Sequence, residues 1–405
     1  MSCKTLKDKF NMLTLESADH WDYRGTNNSE RDYVHGFCTY PAMMVPKMQR
    51  EMLEVCLEET QVNHPRLLDP FAGSGTILVE GMLKGLDVIG IDINPLAVLL
   101  CKVKTTIIAI DDLDNQTRLL LDRIATHEDT KNVDFKGITK WFTPQAISDL
   151  SLIRSAILNE PTLEIRRFFW ATFCEIVRIV SNSRDCTYKL HIKEQADIDT
   201  YDKDAKQLFR DTLQYNITKY KEFFATLKQR GYISRDNVSY KGSVTVVLDD
   251  SIAYLNHSKK KYDFIFTSPP YGDNHTTVSY GQYSIMPLRW INCRDIDDSM
   301  NKHFLDTLYE IDNVSLGGKS SRAYITRAKK KVVKASPTLA KQLKDIEEVA
   351  PNQVKKVISF YSDYNCCLEA VAKKMKPGAV SVWTLGNRKV AKQEILMNQI
   401  MIELS

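Results

Sequence analysis

Between residues 66 and 92 the chain reads strand, glycine turn, helix, strand, and that order sets what it can fold into. Arg66-Leu67-Leu68 suits a short buried strand, followed by Asp69-Pro70-Phe71-Ala72-Gly73-Ser74-Gly75-Thr76 and a helical run from Ile77 to Lys84. Leu86-Asp87-Val88-Ile89-Gly90-Ile91-Asp92 is then a second strand ending in an acid. Glycines at such a turn let the backbone approach a ligand, and the helix start offers free N–H groups. The acid suits a ribose diol. Gly73-Ser74-Gly75 lacks the third glycine of the dinucleotide fingerprint at its proper spacing. The bland alternatives are a turn without a ligand and, for Asp92 ahead of Asn94-Pro95, a helix cap.

Tyr262-Asp263-Phe264-Ile265-Phe266 is a further apolar run, and Thr267-Ser268-Pro269-Pro270-Tyr271 follows it directly. Prolines cannot sit inside a central strand but can end one. Two in succession fix φ and remove two donors, leaving rigid carbonyl acceptors. Ser268 adds a hydroxyl that can accept, and Tyr271 a flat face that can stack. Together they describe a slot for a planar ring with an exocyclic amine. Hydrogen bonds from that amine to Ser268 and the Pro269 carbonyl favour a tetrahedral nitrogen, whose lone pair then faces an electrophilic methyl. Positive charge developing on nitrogen is stabilised by such fixed acceptors in a dry pocket. Attack on a ring carbon would need a cysteine nucleophile, and none of the nine cysteines follows a proline. A structural Pro-Pro turn is the competing reading.

At 405 residues the chain calls for two domains, or one large domain with an insert. A hydrophobic share of 43% supports a sizeable core, and a net charge of +4 permits nucleic acid without requiring it. The cysteines form no Cys-x-x-Cys pair and read as reduced thiols of a cytosolic protein. The eight histidines include no His-Glu-x-x-His, so no metal is expected. No apolar stretch is long enough to span a bilayer, so no membrane partner is expected either.

Residues 1–34 read as a polar arm, 35–105 as a ligand-binding half, 106–240 as a mainly helical insert and 241–405 as the half carrying the Pro-Pro turn. Within the insert, 161–180 and 204–228 have helical spacing, and Arg166, Arg167, Arg178 and Arg184 are either a solvated face or phosphate contacts. Gly272 to Trp290 reads as a loop framing the target ring. A basic loop, 317–335, starts at Gly317-Gly318 and carries Lys319, Arg322, Arg327, Lys329, Lys330 and Lys331. Such runs are commonly solvated surface, but beside a slot for a nucleobase they suit phosphates. Val354 to Lys376 reads as a helix stopped at Lys376-Pro377-Gly378, Ala379 to Leu385 as a strand and Glu394 to Leu404 as a last helix.

With these motifs the chain resembles the S-adenosylmethionine-dependent DNA amino-methyltransferases, which modify N4 of cytosine or N6 of adenine. The resemblance covers about residues 30–105 and 240–405. It implies an α/β, Rossmann-like, mainly parallel sheet, the helical insert 106–240 as the candidate DNA-binding and target-recognition region, and S-adenosylmethionine as cofactor. Asp69, Phe71, Gly73, Gly75 and Thr76 correspond to the cofactor's glycine motif, and Asp92 to the ribose-contacting acid. Phe37 and Tyr40, in His35-Gly36-Phe37-Cys38-Thr39-Tyr40-Pro41-Ala42, would lie over its methionine end; they could equally be core aromatics. Asp250, at the end of the Val244 strand, would lie near the adenine, with Asp249 beside it. Ser268, Pro269, Pro270 and Tyr271 correspond to the catalytic motif, whose Ser-Pro-Pro-Tyr form is more typical of cytosine-N4 enzymes. Duplex DNA is the implied substrate, with the base flipped out, a cognate restriction endonuclease the implied companion, and the cytoplasm, on the nucleoid when DNA is bound, the implied setting. Family members continue through further strands that this sequence lacks, leaving open a second chain that supplies them. Adenine-N6 or RNA methylation, and a partner-dependent or inactive subunit, stay open as alternatives.

Overall fold

The computed structural model describes residues 6–15, 21, 31–60, 62–126, 130–184, 187–200, 203–300, 302–318 and 321–405. Five strands, β1 (Arg66–Asp69), β2 (Asp87–Asp92), β3 (Val244–Leu248), β4 (Tyr262–Thr267) and β5 (Met375–Trp383), form one sheet in the order β3-β2-β1-β4-β5. Every neighbouring pair is parallel. Parallel strands need helical crossovers that cover both faces, which is why the central strands are almost continuously apolar. Leu67, Val88, Phe264 and Phe266 face one core with the Thr76–Leu83 and Pro95–Thr105 helices. Leu68, Ile89, Ile91 and Ile265 face the other, against the Ser251–His257 and Pro351–Ala372 helices. Gly90 lets the first layer close up: a Cβ there would lie 2.5 Å from Leu78 Cδ1. Forcing one in is an overpacking change, costing about 1–3 kcal/mol.

The insert is helical as expected, through Ile110–Thr126, Pro144–Leu158, Leu163–Ile179 and Ala205–Gln229. Its apolar faces join the core shared with Pro95–Thr105, so it is built into the sheet's own layer. Three of the four arginines are engaged inside the fold, and the fourth pairs at the surface. Arg166 binds Asp295 through Nε at 2.8 Å and Nη2 at 3.1 Å, and Arg167 donates to the Asp295 carbonyl. Arg178 lies 3.8 Å over the Tyr283 ring, and Arg184 pairs with Glu194 at 2.7 Å. Of the arm, the described Leu6–Leu15 helix is held to Pro46–Glu58 by Lys9, which pairs with Glu58 at 3.1 Å.

Four expectations after β4 need correction, the last of them the start of the final helix. The segment read as a loop through Trp290 becomes the Tyr280–Trp290 helix, with Pro287 inside it. The basic loop is the Arg322–Ala335 helix, capped by Ser321 Oγ, which accepts from the Tyr324 N–H at 3.3 Å. β5 begins at Met375, before Pro377-Gly378, because residues 376–379 bulge out where β4 uses only Asp263. Lys376 Nζ closes that bulge on Asp263 Oδ2 at 2.8 Å.

The final helix starts at Met397, since β6 (Arg388–Val390) and β7 (Gln393–Ile395) form an antiparallel hairpin first. Ala391 and Lys392 turn it with φ of 51° and 65°, the geometry of a two-residue hairpin loop. The hairpin and the Met397–Leu404 helix contribute Val390, Ile395, Met397 and Ile400 to a second core. Ala328 and Val332 of the basic helix lie in it too. Among the described residues β5 pairs with β4 alone, so its other edge carries no strand.

Candidate active site

The strands end together at one edge of the sheet, and their turns build the site. Asp69, at the end of β1, is buried; its Oδ1 accepts from the Phe71 N–H at 3.0 Å and from Thr267 Oγ1 at 2.6 Å. One carboxylate therefore ties the glycine turn to the last residue of β4, immediately before Ser268. Burial pushes this carboxyl up to about 7 against the two hydrogen bonds that lower it. Gly73 and Gly75 take φ of 49° and 79°, a region side chains disfavour, and so aim the turn's N–H groups.

Asp92, at the end of β2, accepts from the Gly73 N–H at 2.8 Å through Oδ2 and from the Asn94 N–H at 2.8 Å through Oδ1. Burial raises its carboxyl to about 6 while those backbone donors pull the other way. Asp92 is thus a turn-holder as well as a wall of the cavity. Each oxygen keeps a lone pair for a ligand hydroxyl. Asn94 caps Pro95–Thr105 and also donates to Tyr40 Oη at 2.9 Å, which places the tyrosine ring over Gly73.

Upstream of Tyr40, a polar cluster centred on the buried His35 and Glu80 ties the segment down. His35 Nε2 lies 2.8 Å from Glu80 Oε1, and Arg50 Nε donates to Glu80 Oε2 at 2.8 Å. Arg50 Nη2 reaches Asp32 at 2.9 Å. Asp32, His35 and Glu80 stand close enough to share a cation. Arg50 already supplies that positive charge.

One cavity brings most of the motif residues together, with Pro269 and Tyr271 outside its wall. Tyr40, Phe71, Gly73, Thr76, Asp92, Asp250, Ser268 and Pro270 line it. Asp250 caps Ser251–His257, accepting from the Ala253 N–H at 2.8 Å through Oδ1, while Asp249 is not part of the wall. Asp69 and Gly75 stand behind the cavity and shape its turn. Phe37 does not belong to it: the ring is buried edge-on against Phe168 at 5.3 Å, one of the core aromatics. Tyr271 Oη lies 3.3 Å from Ser268 Oγ.

Met43, Met44, Ile252, Asn274, Tyr280, Ile311 and Leu316 also line the cavity and were not foreseen. Asn274 and Tyr280 stand in the polar run after Tyr271. Ile311 and Leu316 reach the site only through tertiary folding, and no local pattern marks them.

The basic helix is exposed on one side. Lys329 and Lys331 pair with Glu347, at 3.2 Å, and Glu369, at 2.8 Å. Arg322, Arg327 and Lys330 are exposed, and among the described residues no carboxylate pairs with them. Lys334 follows Lys330 by one helical turn, extending the Arg327–Lys330 stripe. Lys319 lies outside the described residues.

The model of the RMKL-like methyltransferase domain matches residues 35–129, the glycine turn and both strands that flank its helix. The type II methyltransferase M.MvaI of Kocuria varians is 31% identical over 404 residues, 97% of this chain and 85% of that protein. M.MjaII, a type II methyltransferase of Methanocaldococcus jannaschii, is 32% identical over 117 residues, 28% of this chain and 21% of its own. No solved structure matches.

Proposed function

The chain belongs to the type II DNA methyltransferase family, and on that premise we propose that it methylates the N4 amine of cytosine in duplex DNA, with S-adenosylmethionine as donor. The observation that carries the reading is the single cavity that holds the glycine turn, Asp92, Asp250 and Ser268 together.

The residues fit that donor. Asp92 offers lone pairs to a ribose diol, Asp250 has an oxygen free of its cap, and Phe71, Met43, Met44 and Ile252 give apolar walls to an adenine ring. The donor supplies an electrophilic methyl group. What the chain supplies is the nucleophile's geometry. Ser268 Oγ and the Pro269 carbonyl accept the two amine hydrogens, and the Tyr271 ring stacks on the flipped base. Both acceptors are fixed beforehand, so the developing positive charge meets them without rearrangement. The proton leaves to solvent after transfer, and no covalent enzyme intermediate forms.

Phosphates of the duplex meet Arg322, Arg327 and Lys330, with Lys334 extending the stripe. Lys329 and Lys331 keep their carboxylates and add less. A cognate endonuclease, cutting the same sequence when it is unmodified, accompanies an enzyme of this kind.

The test is incubation of the purified chain with labelled S-adenosylmethionine and mixed-sequence duplex DNA, followed by nucleoside mass spectrometry. N4-methylcytosine is the expected product. N6-methyladenine would keep the mechanism and overturn the choice of base.

A further inference from the structure

The turn carrying Tyr271 is held from far along the chain. Gly386, in the connector between β5 and β6, backs the Tyr271 ring: a Cβ there would lie 2.6 Å from Cε2 and 2.8 Å from Cδ2. A Cβ on Gly272 would overlap Nη1 of Arg388. Neither glycine has a positive φ, so what is needed at both is space.

Arg388 Nη1 donates to Thr276 Oγ1 at 2.9 Å and to Asp273 Oδ2 at 3.3 Å, across 115 residues in the latter case. Thr276 Oγ1 also donates to Asp273 Oδ2, at 2.5 Å. Asp273 is 1% exposed, and Lys356 Nζ stands 3.9 Å from its second oxygen. A buried carboxylate deprived of its main cation is costly, so this contact is strongly directive. The connector is itself anchored. Thr384 N–H donates to the Thr267 carbonyl at 2.9 Å, and Asn387 Oδ1 accepts from the Met397 N–H at 3.1 Å.

We propose that residues 384–388 form a strap over the Pro-Pro-Tyr turn and that Arg388 is a positioning residue for transfer, holding Tyr271 in register with Ser268. Arg388 touches no substrate; it acts through Asp273, Thr276 and the backbone of Gly272. The proposal rests on reading Ser268 to Tyr271 as the transfer site.

The experiment compares the full-length wild type with Arg388→Ala, Arg388→Lys and Gly386→Ala. Single-turnover transfer from labelled S-adenosylmethionine to mixed-sequence duplex DNA is read beside donor affinity and amide exchange. A displacement of about 1 Å costs roughly 100-fold in rate, and that loss is expected for Arg388→Ala and Gly386→Ala, with donor affinity held within about threefold. Arg388→Lys keeps the charge but not the fork, so it recovers part of the loss. Exchange at residues 272–277 should rise in Arg388→Ala, with β1 and β4 unchanged. Should that variant fail to fold, Gly386→Ala carries the test, since it leaves every charge in place. Transfer near wild-type rates, or a parallel loss of donor affinity, overturns the proposal, and so does unchanged exchange. If the wild type transfers nothing to DNA yet exchange rises in the variant, the functional reading fails and the strap stands.

Discussion

The turn after β1 and the turn after β4 lie side by side, joined by the hydrogen bond from Thr267 to Asp69, yet they are held by opposite means. The first is held mainly from within: Asp69 and Asp92, both inside one short stretch, accept from the backbone of Phe71, Gly73 and Asn94, with Ser251 Oγ on the Pro70 carbonyl as an outside tie. The second contains two prolines and is clamped from outside, by Gly386 behind Tyr271 and by Arg388 on Asp273. On the proposed reading, the turn that meets the donor is wired mostly by its neighbours in sequence, and the turn that meets the base gains its alignment from a distant segment.

The comparison breaks most visibly at the ring itself. Tyr271→Ala or Pro269→Ala should lower transfer by at least about 100-fold, the scale of losing one preorganised acceptor or the equivalent alignment. Donor affinity should stay within a few-fold; loss of donor binding in both variants would merge the two roles. Asp92→Ala should do the reverse. Donor affinity falls about 10- to 100-fold, as for loss of charge-assisted hydrogen bonds, while transfer at saturating donor changes little. Equal losses in both quantities would erase the division between the turns.

The basic stripe sharpens the comparison on the DNA side. Arg327, Lys330 and Lys334 changed together to Ala should reduce the slope of log affinity against log salt by up to about 2.7, at roughly 0.9 for each phosphate left without its cation. The Lys329 and Lys331 pair should reduce it less, because their carboxylate partners already neutralise them. Equal slopes for the two sets would return the helix to ordinary surface.

The smallest effect is in pH. Asp92 accepts best when ionised, so donor affinity should weaken as pH falls through about 6. Its carboxyl is raised in the folded state, so protonation favours the fold: stability from this group is full at low pH and declines as pH rises through about 6. A loss of affinity on acidification is therefore not unfolding caused by Asp92. Asp92→Asn should flatten the profile, which titration calorimetry between pH 5 and 8 would check.

What could be read from the sequence follows the same divide. The strand, glycine turn and second strand ending in Asp92, and the Pro-Pro end of β4, were legible because each is a short string with its own residue pattern. Phe37 misled because a buried aromatic beside a binding segment looks the same whether it faces ligand or core. The Tyr280–Trp290 helix hid behind its polar first turn and Pro287. Ser321 was a readable cap for the basic helix, yet Gly317-Gly318 and the density of charge suggested a loop. The early start of β5 was masked because Pro377-Gly378, an ordinary helix stop, here sits in a bulge bridged by Lys376 to Asp263. Arg388 offered no signal at all, since its meaning depends on Asp273, which is 115 residues away.

That separation has a consequence during synthesis. Chains fold from the N-terminus as they leave the ribosome, and the glycine turn has its local partners, Asp69 and Asp92, as soon as β1 and β2 have emerged. The transfer turn acquires its clamp only when Arg388 follows. The glycine turn is therefore set well before the turn beside it gains its alignment.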